Sequence, residues 1–462
     1  MFIDRVKELN TLDELFKENK PRLIILYGRR RVGKSELIKE FAKKHNGLYI
    51  LAREESAHLQ LDNISKKCAE FFNDKILSIR GFADWDQVFS YLEQKIKENH
   101  CPVFFDEFPF FVESTPGLPS ILQDYWDNKF QQLPCFFVLC GSSISMMEKL
   151  MGYKSPIYGR RTHQMLLEPF NFQNASQFFP KKMQVEQKME FYSVLGGTPS
   201  YLLNFDYSKT LFENISDYLL QEESFLYRDV LFVLREELNE PRNYFSILAS
   251  IAKGNTTIGS IMNDSGLNKG IVNKYLRVLI DLHLIERKVP ITERKEKSRK
   301  GIYLLRDNFF KFWFKFIFEN TDLIEAKRGK NVIEEKIKPE FNAFVGRIFE
   351  NICSEWLNQN KEYQQYLFGS WWHKDAEIDI VGLNKSKKEI LFAECKWRNE
   401  KVKINELVKL EEKAKFVKWN NEKRKEFFVF FSKKGFDAKA KKYAEKRNWK
   451  LYDLKDLKKI FK

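Results

Sequence analysis

Across residues 1–150, short unbroken apolar runs alternate with stretches whose apolar residues recur at helical spacing. The runs at 23–26, 47–52, 102–105 and 135–143 predict buried strands. Between them, residues 2–16 (Leu9, Leu12, Phe16), the stretch from Ser35 through Leu37, Ile38 and Phe41, and residues 59–72 and 85–97 predict amphipathic helices. Strands apolar on both faces and separated by helices imply an α/β fold, a parallel sheet with helices on both faces.

From residue 243 the rhythm changes. Helical spacing at 244–252, 257–263 and 269–282, with a turn at Ser265-Gly266, is followed by LIERKVP, a basic stretch at 293–300 and a strand in GIYLL. That order predicts a winged helix-turn-helix. Its third helix would present Asn268, Lys269, Asn273, Lys274 and Arg277 to DNA, and its wing would run from Arg294 to Lys300. FFKFWFKFIF at 309–318 reads as a core helix, since Lys311 and Lys315 break a run already too short to span a bilayer. Beyond a charged connector, a helix at 341–356 turns Phe341, Phe344, Val345, Ile348 and Ile352 inward. Strands through 377–381, 390–397 and 427–431, a helix at 437–447 and WKLYDL then complete a mixed sheet. The expected division is an α/β core (1–205), a helical lid or connector (206–240), the winged helix (241–318), a connector (319–339) and a second α/β domain (340–462).

Composition supports several cores, since 43% of 462 residues are hydrophobic and 15% aromatic. The net charge of +15 gathers late: residues 331–462 carry 31 Lys and Arg against 21 Asp and Glu. This fits a nucleic-acid surface and, equally, a solubilising one. Six scattered cysteines form no C-x-x-C pair and imply neither zinc nor disulfides, hence a reduced, cytoplasmic setting. MFIDRVKELN lacks the apolar core of a signal peptide, and no membrane partner is expected.

The chemistry starts at Gly28, Arg29, Arg30, Arg31, Val32, Gly33, Lys34 and Ser35, which fit G-x-x-x-x-G-K-[ST] between a strand and a helix. The glycines let successive backbone N–H groups face a phosphate chain, and the helix start adds its positive dipole end. Lys34 would reach the β- and γ-phosphates of ATP, and Ser35 would ligate Mg²⁺. The run at 102–105 ends in Asp106-Glu107. Asp106 would hold the metal through water, and Glu107 would orient or deprotonate the attacking water. Ser142 or Ser143 would sense the γ-phosphate, or serve as an N-cap before Ile144.

FIDRVKEL, YGRRRVGKS, FFDEF, LCGSS, YGRR, LEPF and GGTPSYL, in this order, resemble the archaeal-type ATPase family, a branch of the AAA+/STAND-like P-loop ATPases. The resemblance implies that Arg160 or Arg161 acts as an arginine finger on a neighbouring subunit, which makes a homo-oligomer a candidate partner. It also implies that Pro199 in GGTP contacts nucleotide. No second sensor arginine is evident in the lid.

In the last domain, residues two apart on a strand share a face, so Glu394 and Lys396 project together while Cys395 points away. With Asp379 ending the neighbouring strand, two carboxylates would bind Mg²⁺ and a lysine would position water. Asp379, Glu394-x-Lys396 and Glu350 on the preceding helix resemble the PD-(D/E)xK superfamily, which implies a restriction-endonuclease-like domain with a metal-dependent nuclease site. The residue before Asp379 is Ile378 where that superfamily often has proline. Two functions are compatible with these readings: an ATPase that binds and cuts DNA, and a nucleotide-switched DNA-binding or scaffold protein that does not cut.

Overall fold

The computed structural model describes residues 3–238 and 240–460; Phe2, at the start of the first expected helix, lies outside the described residues. The chain divides after Pro169 into two compact units. In the first, β1 (Arg22–Tyr27), β2 (Leu48–Leu51), β3 (Pro102–Asp106), β4 (Phe136–Gly141) and β5 (His163–Leu166) form a wholly parallel sheet in the order β2-β3-β4-β1-β5. Strand alternation sends Phe104, Phe136 and Val138 to one face, where Ile24 and Leu26 join them beneath Leu12, Leu37, Ile38 and Phe41. Phe105 and Phe137 point to the other face, against Trp85, Phe111 and Phe130. Helices therefore cover both faces, and burying each ring stabilises the sheet by about 1.5–3 kcal/mol. β5 carries no apolar run because, as an edge strand reading HQML, it is only partly covered.

The second unit begins with short helices. Three more follow, Arg242–Lys253, Ile258–Ser265 and Lys269–Asp281, and then an antiparallel pair, β6 (Ile285–Lys288) with β7 (Ile302–Leu305). Thr257 caps the second helix and Asn268 the third, through side chains that accept from Ser260 and Ile271 N–H. Ile261, Val272, Leu276 and Leu279 are the buried stripe. The stretch expected as a charged connector is helical, with Thr321–Glu325, Gly329–Asn331 and Val332–Ile337 leading into Lys338–Gln359. Ile324, Val332, Ile333 and Ile337 are buried there while most of the charges face outward.

A second sheet has the order β12-β11-β10-β9-β8, from β8 (Leu367–His373), β9 (Ala376–Asn384), β10 (Glu389–Lys396), β11 (Lys425–Ser432) and β12 (Lys450–Asp453). β8, β9 and β10 are antiparallel, whereas β10, β11 and β12 are parallel, which makes the sheet mixed as expected. Helix Lys338–Gln359 lays Phe349 on Trp397 and Trp356 on Phe431. The opposite face receives Leu407, Leu410 and Ala414 of helix Ile404–Ala414. Among the described residues, no helix is long and apolar enough to cross a membrane.

Candidate functional sites

The first site lies at the carboxyl ends of β1, β3 and β4. Residues 28–33 turn from β1 into helix Lys34–His45. A Cβ on Gly28 would stand 2.3 Å from the Leu167 carbonyl oxygen, so the chain can pass only without a side chain. Gly33, at φ 95°, takes the left-handed turn that opens the helix. The Lys34 ammonium is buried and donates to the carbonyls of Gly28 (2.8 Å) and Arg29 (3.0 Å), closing the loop on itself. Burial pulls its pKa below the ordinary lysine value, against the opposing pull of Cys140, Glu107 and Asp106.

Arg5, which the sequence reading did not single out, clamps this loop. Its buried guanidinium donates to the carbonyls of Val32 (2.7 Å) and Glu168 (2.8 Å) and pairs with Glu8 at 3.1 Å. Burial lowers its pKa, with Glu8 acting against the shift.

Two strands from the loop, Asp106 is fully buried at the end of β3. Its Oδ2 accepts from the Tyr49 hydroxyl at 2.7 Å and its Oδ1 from the Glu107 N–H at 3.0 Å. The Ser35 side chain hydrogen-bonds the same tyrosine, whose own pKa is raised by burial and by Asp106. Ser35, Tyr49 and Asp106 thus form one polar knot, a donor set of oxygens that suits a hard, hydrated cation. Glu107 adopts the left-handed conformation, φ 53° and ψ 43°, immediately before helix Phe108–Ser114. A non-glycine residue in that region carries strain, and here it turns the carboxylate toward β4. Glu107 Oε2 accepts from the Ser142 hydroxyl at 2.8 Å and its N–H at 3.1 Å. Of the two serines, Ser143 is the N-cap, accepting from Met146 N–H, and Ser142 holds Glu107.

Arg160 and Arg161 lie on the same unit, each with partners in its own chain. Arg160 grips Asp127 through Nε (3.0 Å) and Nη2 (2.7 Å), and Arg161 donates to Gln164 and to the Met151 carbonyl. Pro199 belongs to the second unit, where it starts helix Pro199–Leu202 after Gly197 passes close beneath the Phe170 carbonyl.

The second site lies on β9, β10 and helix Lys338–Gln359. Asp379 sits inside β9 and not at its end, a correction to the expected placement. The ladder between β9 and β10 runs only to Ile380 opposite Ala393, and the next β10 amide available, Cys395 N–H, donates to Asp379 Oδ2 at 2.8 Å. Where the strands part, the Glu394 side chain, 7% exposed, offers Oε1 to two ammonium groups, Lys396 at 2.8 Å and Lys413 at 2.9 Å. Its Oε2 is buried and accepts no hydrogen bond. Asp379 is pushed up to about 7, by burial first and by Glu394 second, and Glu350 to about 8, by burial and then by Asp379. Burial works to lower Lys396, but Glu394 and Asp379 outweigh it and raise its pKa.

Glu350, Asp379, Glu394 and Lys396 are therefore neighbours. Lys413, from helix Ile404–Ala414, went unpredicted because nothing in its surroundings marks it among so many lysines. Among the described residues, no three His, Cys, Asp or Glu side chains already converge to hold a metal ion. An orphan buried carboxylate oxygen beside two carboxyls whose pKa values are raised by burial and by a neighbouring carboxylate nevertheless fits a divalent cation.

On helix Lys269–Asp281, Lys269, Asn273, Lys274 and Arg277 are exposed along one face, opposite the buried Val272 and Leu276. The basic loop between β6 and β7 folds back on the second sheet, with Ile291 N–H donating to the Ser370 carbonyl and Arg287 donating to the carbonyls of Lys295 (2.7 Å) and Ser298 (2.6 Å).

A parallel five-stranded sheet with this loop at the end of β1 defines a P-loop ATPase fold. Residues 2–205 match an ATPase domain found predominantly in Archaea, and residues 313–414 match a domain described only as archaeal and bacterial proteins of unknown function. An uncharacterized protein of Methanocaldococcus jannaschii is 36% identical over 409 residues, which cover 87% of this chain and 88% of that one. The chain belongs to the same family as this relative, and in this chain the archaeal ATPase domain is followed by that C-terminal domain. An uncharacterized ATP-binding protein of the same organism is 61% identical over 41 residues, 9% of this chain and 70% of the relative. Among solved structures, the chain is similar to a Walker-type ATPase of Pyrococcus abyssi (22% identity, 68% of this chain and 96% of that one, TM-score 0.49). It is also similar to the Aeropyrum pernix ORC2 protein in its ADPNP and ADP complexes (14% identity, 71% and 96% covered, TM-score 0.43).

Proposed function

We propose that the protein binds and hydrolyses ATP at the first site and uses that cycle to control a DNA-binding module at 241–318 and a nuclease-like module at 340–462. The observation that carries the nucleotide reading is the cradle itself: Lys34 buried at the loop closure, with Asp106 and the Glu107–Ser142 pair at the ends of β3 and β4. The triphosphate would draw Lys34 from the Gly28 and Arg29 carbonyls and lie along the N–H groups of the loop. Ser35 and Asp106 would hold Mg²⁺, which would neutralise charge on the β- and γ-oxygens. Glu107 would orient the attacking water once Ser142 turns from it to the γ-phosphate. Lys34→Ala should abolish ATP binding, whereas Glu107→Gln should bind ATP and lose turnover; undiminished turnover in Glu107→Gln would remove Glu107 as the base.

The DNA reading is supported by the exposed basic face of helix Lys269–Asp281, which has the geometry a major groove takes. Charge reversal at Lys274 and Arg277 should weaken duplex affinity and flatten its salt dependence. Unchanged affinity would make this module a protein-docking element, in keeping with the scaffold alternative. For cleavage, the supporting observation is the buried Glu394 Oε2 beside Asp379 and Glu350. Glu394 and Asp379 would hold Mg²⁺ or Mn²⁺, which would act as a Lewis acid on a scissile phosphate, and Lys396 would position water. Plasmid nicking that depends on metal and is lost in Asp379→Ala is the expected result. No nicking in any metal would leave the non-cleaving alternative.

A further inference from the structure

We infer that Lys413 is the resident counter-cation of Glu394, which a divalent ion entering the second site must displace. The inference rests on the reading of that site as a metal site and adds a residue that no part of the PD-(D/E)xK resemblance supplies. Glu394 is the most enclosed carboxylate of the cluster, yet both of its ion pairs fall on one oxygen: Lys396 at 2.8 Å and Lys413 at 2.9 Å share Oε1, and Oε2 has no partner. A carboxylate gripped on one oxygen by two ammonium groups can offer a metal only Oε2, and bidentate ligation requires a lysine to leave Oε1.

The two lysines are not equivalent. Lys396 lies two residues from Glu394 on the same face of β10 and also feels Asp379, so it is built into the strand. Lys413 reaches in from the penultimate residue of helix Ile404–Ala414; its side chain is as exposed as that of Lys396 (30% and 29%), so what separates the two is where each is anchored. Once released, its ammonium is next to the last-turn carbonyls of its own helix, where the negative dipole end favours a cation. Lys413 has the end of its own helix to receive it, and Lys396, on a strand, has no helix end of its own. Lys413 is thus a positioning residue, one that holds the Glu394 carboxylate until metal takes its place.

The test is Mn²⁺ binding to the full chain without nucleotide, by titration calorimetry and by thermal shift, with Asp379→Ala as the reference for binding elsewhere. Lys413→Met should bind Mn²⁺ at this site about tenfold more tightly than the unsubstituted protein, the order expected when one charge-assisted hydrogen bond to a buried carboxylate is removed. Lys413→Arg, which keeps a cation, should stay within about twofold of it. A purely structural lysine would give the opposite sign, with lower stability and equal or weaker Mn²⁺ affinity. If the unsubstituted protein binds Mn²⁺ through Asp379 and Lys413→Met binds no more tightly, the counter-cation role fails while the metal site stands. If neither protein binds beyond the Asp379→Ala reference, both fail.

Discussion

Replacing Arg5 by alanine tests whether the phosphate loop is held from outside itself. The guanidinium ties Val32, inside the loop, to Glu168, which follows β5, and pairs with Glu8 on the first helix. Val32 is fully buried, so its carbonyl would lose a charge-assisted partner with no water to replace it, a cost of about 1–3 kcal/mol. Glu168 is exposed and its carbonyl can recruit water, so its share is smaller, and the Glu8 pair contributes about 0.2–1 kcal/mol. The sum is about 1–4 kcal/mol. For a unit of this size that lowers the melting temperature by roughly 2–16 °C, at about 2–4 °C per kcal/mol. Because the lost anchor lies between Gly28 and Lys34, ATP affinity should fall as well, by about tenfold for each 1.4 kcal/mol spent on re-ordering the loop. Arg5→Lys, with one compact donor head, should recover part of the loss. Differential scanning fluorimetry with and without ATP, together with nucleotide titration, makes the measurement. A melting temperature within 1 °C of the parent and unchanged ATP affinity would refute the clamp, and a stability loss with unchanged affinity would show that it props the fold and not the loop.

Gly28→Ala would press a methyl group onto the Leu167 carbonyl oxygen at 2.3 Å, so the loop must shift; ATP affinity should drop more than about tenfold even where the protein still folds, as read by nucleotide titration. If Arg160 is a finger in trans, specific ATPase activity should rise with protein concentration and fall in Arg160→Ala, and Asp127→Ala, by releasing the arginine from its cis ion pair, should raise turnover at a fixed concentration. Concentration-independent turnover in all three proteins would reject the finger. Glu350 and Asp379, raised to about 8 and 7 by burial first and then by Asp379 and Glu394 respectively, keep protons in the folded state that the unfolded chain has released. Folding stability without metal should therefore decline as pH climbs from about 4 to 8, and the Mn²⁺-induced rise in melting temperature should be larger at pH 8 than at pH 6; a melting temperature that rises with pH across that window would contradict the assignment.

The parts of both sites legible in the sequence are those written contiguously. The loop from Gly28 to Ser35 and the Asp106-Glu107 pair announce themselves because strand, turn and helix follow one another within a few residues, and Glu394-x-Lys396 stands out from the other Glu-x-Lys copies because it lies on an apolar strand after a second strand that carries a carboxylate. Arg5, Tyr49 and Lys413 were not legible. Arg5 recognises backbone carbonyls, which leave no mark in sequence, 27 and 163 residues away. Tyr49 is one aromatic in a short strand, and its bond to Asp106 depends on β2 pairing with β3. Asp379, expected at a strand end, lies inside β9, where β9 parts from β10 and the side chain receives a backbone N–H that the strand period does not reveal. The helical character of 321–337 was hidden by its charges, which share the turns with Ile324, Val332, Ile333 and Ile337.

The insertion of β4 between β1 and β3 also sets a gauge. Neighbouring strands lie about 4.8 Å apart, so the ends of β1 and β3 are separated by two spacings, about 9–10 Å. Were β1 and β3 adjacent, that span would halve, and Asp106 would close on Lys34 as an ion pair and cancel the two charges a phosphoryl group and its metal need to find separate. β4 is a spacer of fixed thickness, and the residue at its tip, Ser142, is carried to the middle of the span it creates. Substitutions that keep β4 flat should leave that width alone whatever they do to stability, while a bulge near Cys140 would change the reach between loop and carboxylates without altering a single reacting group.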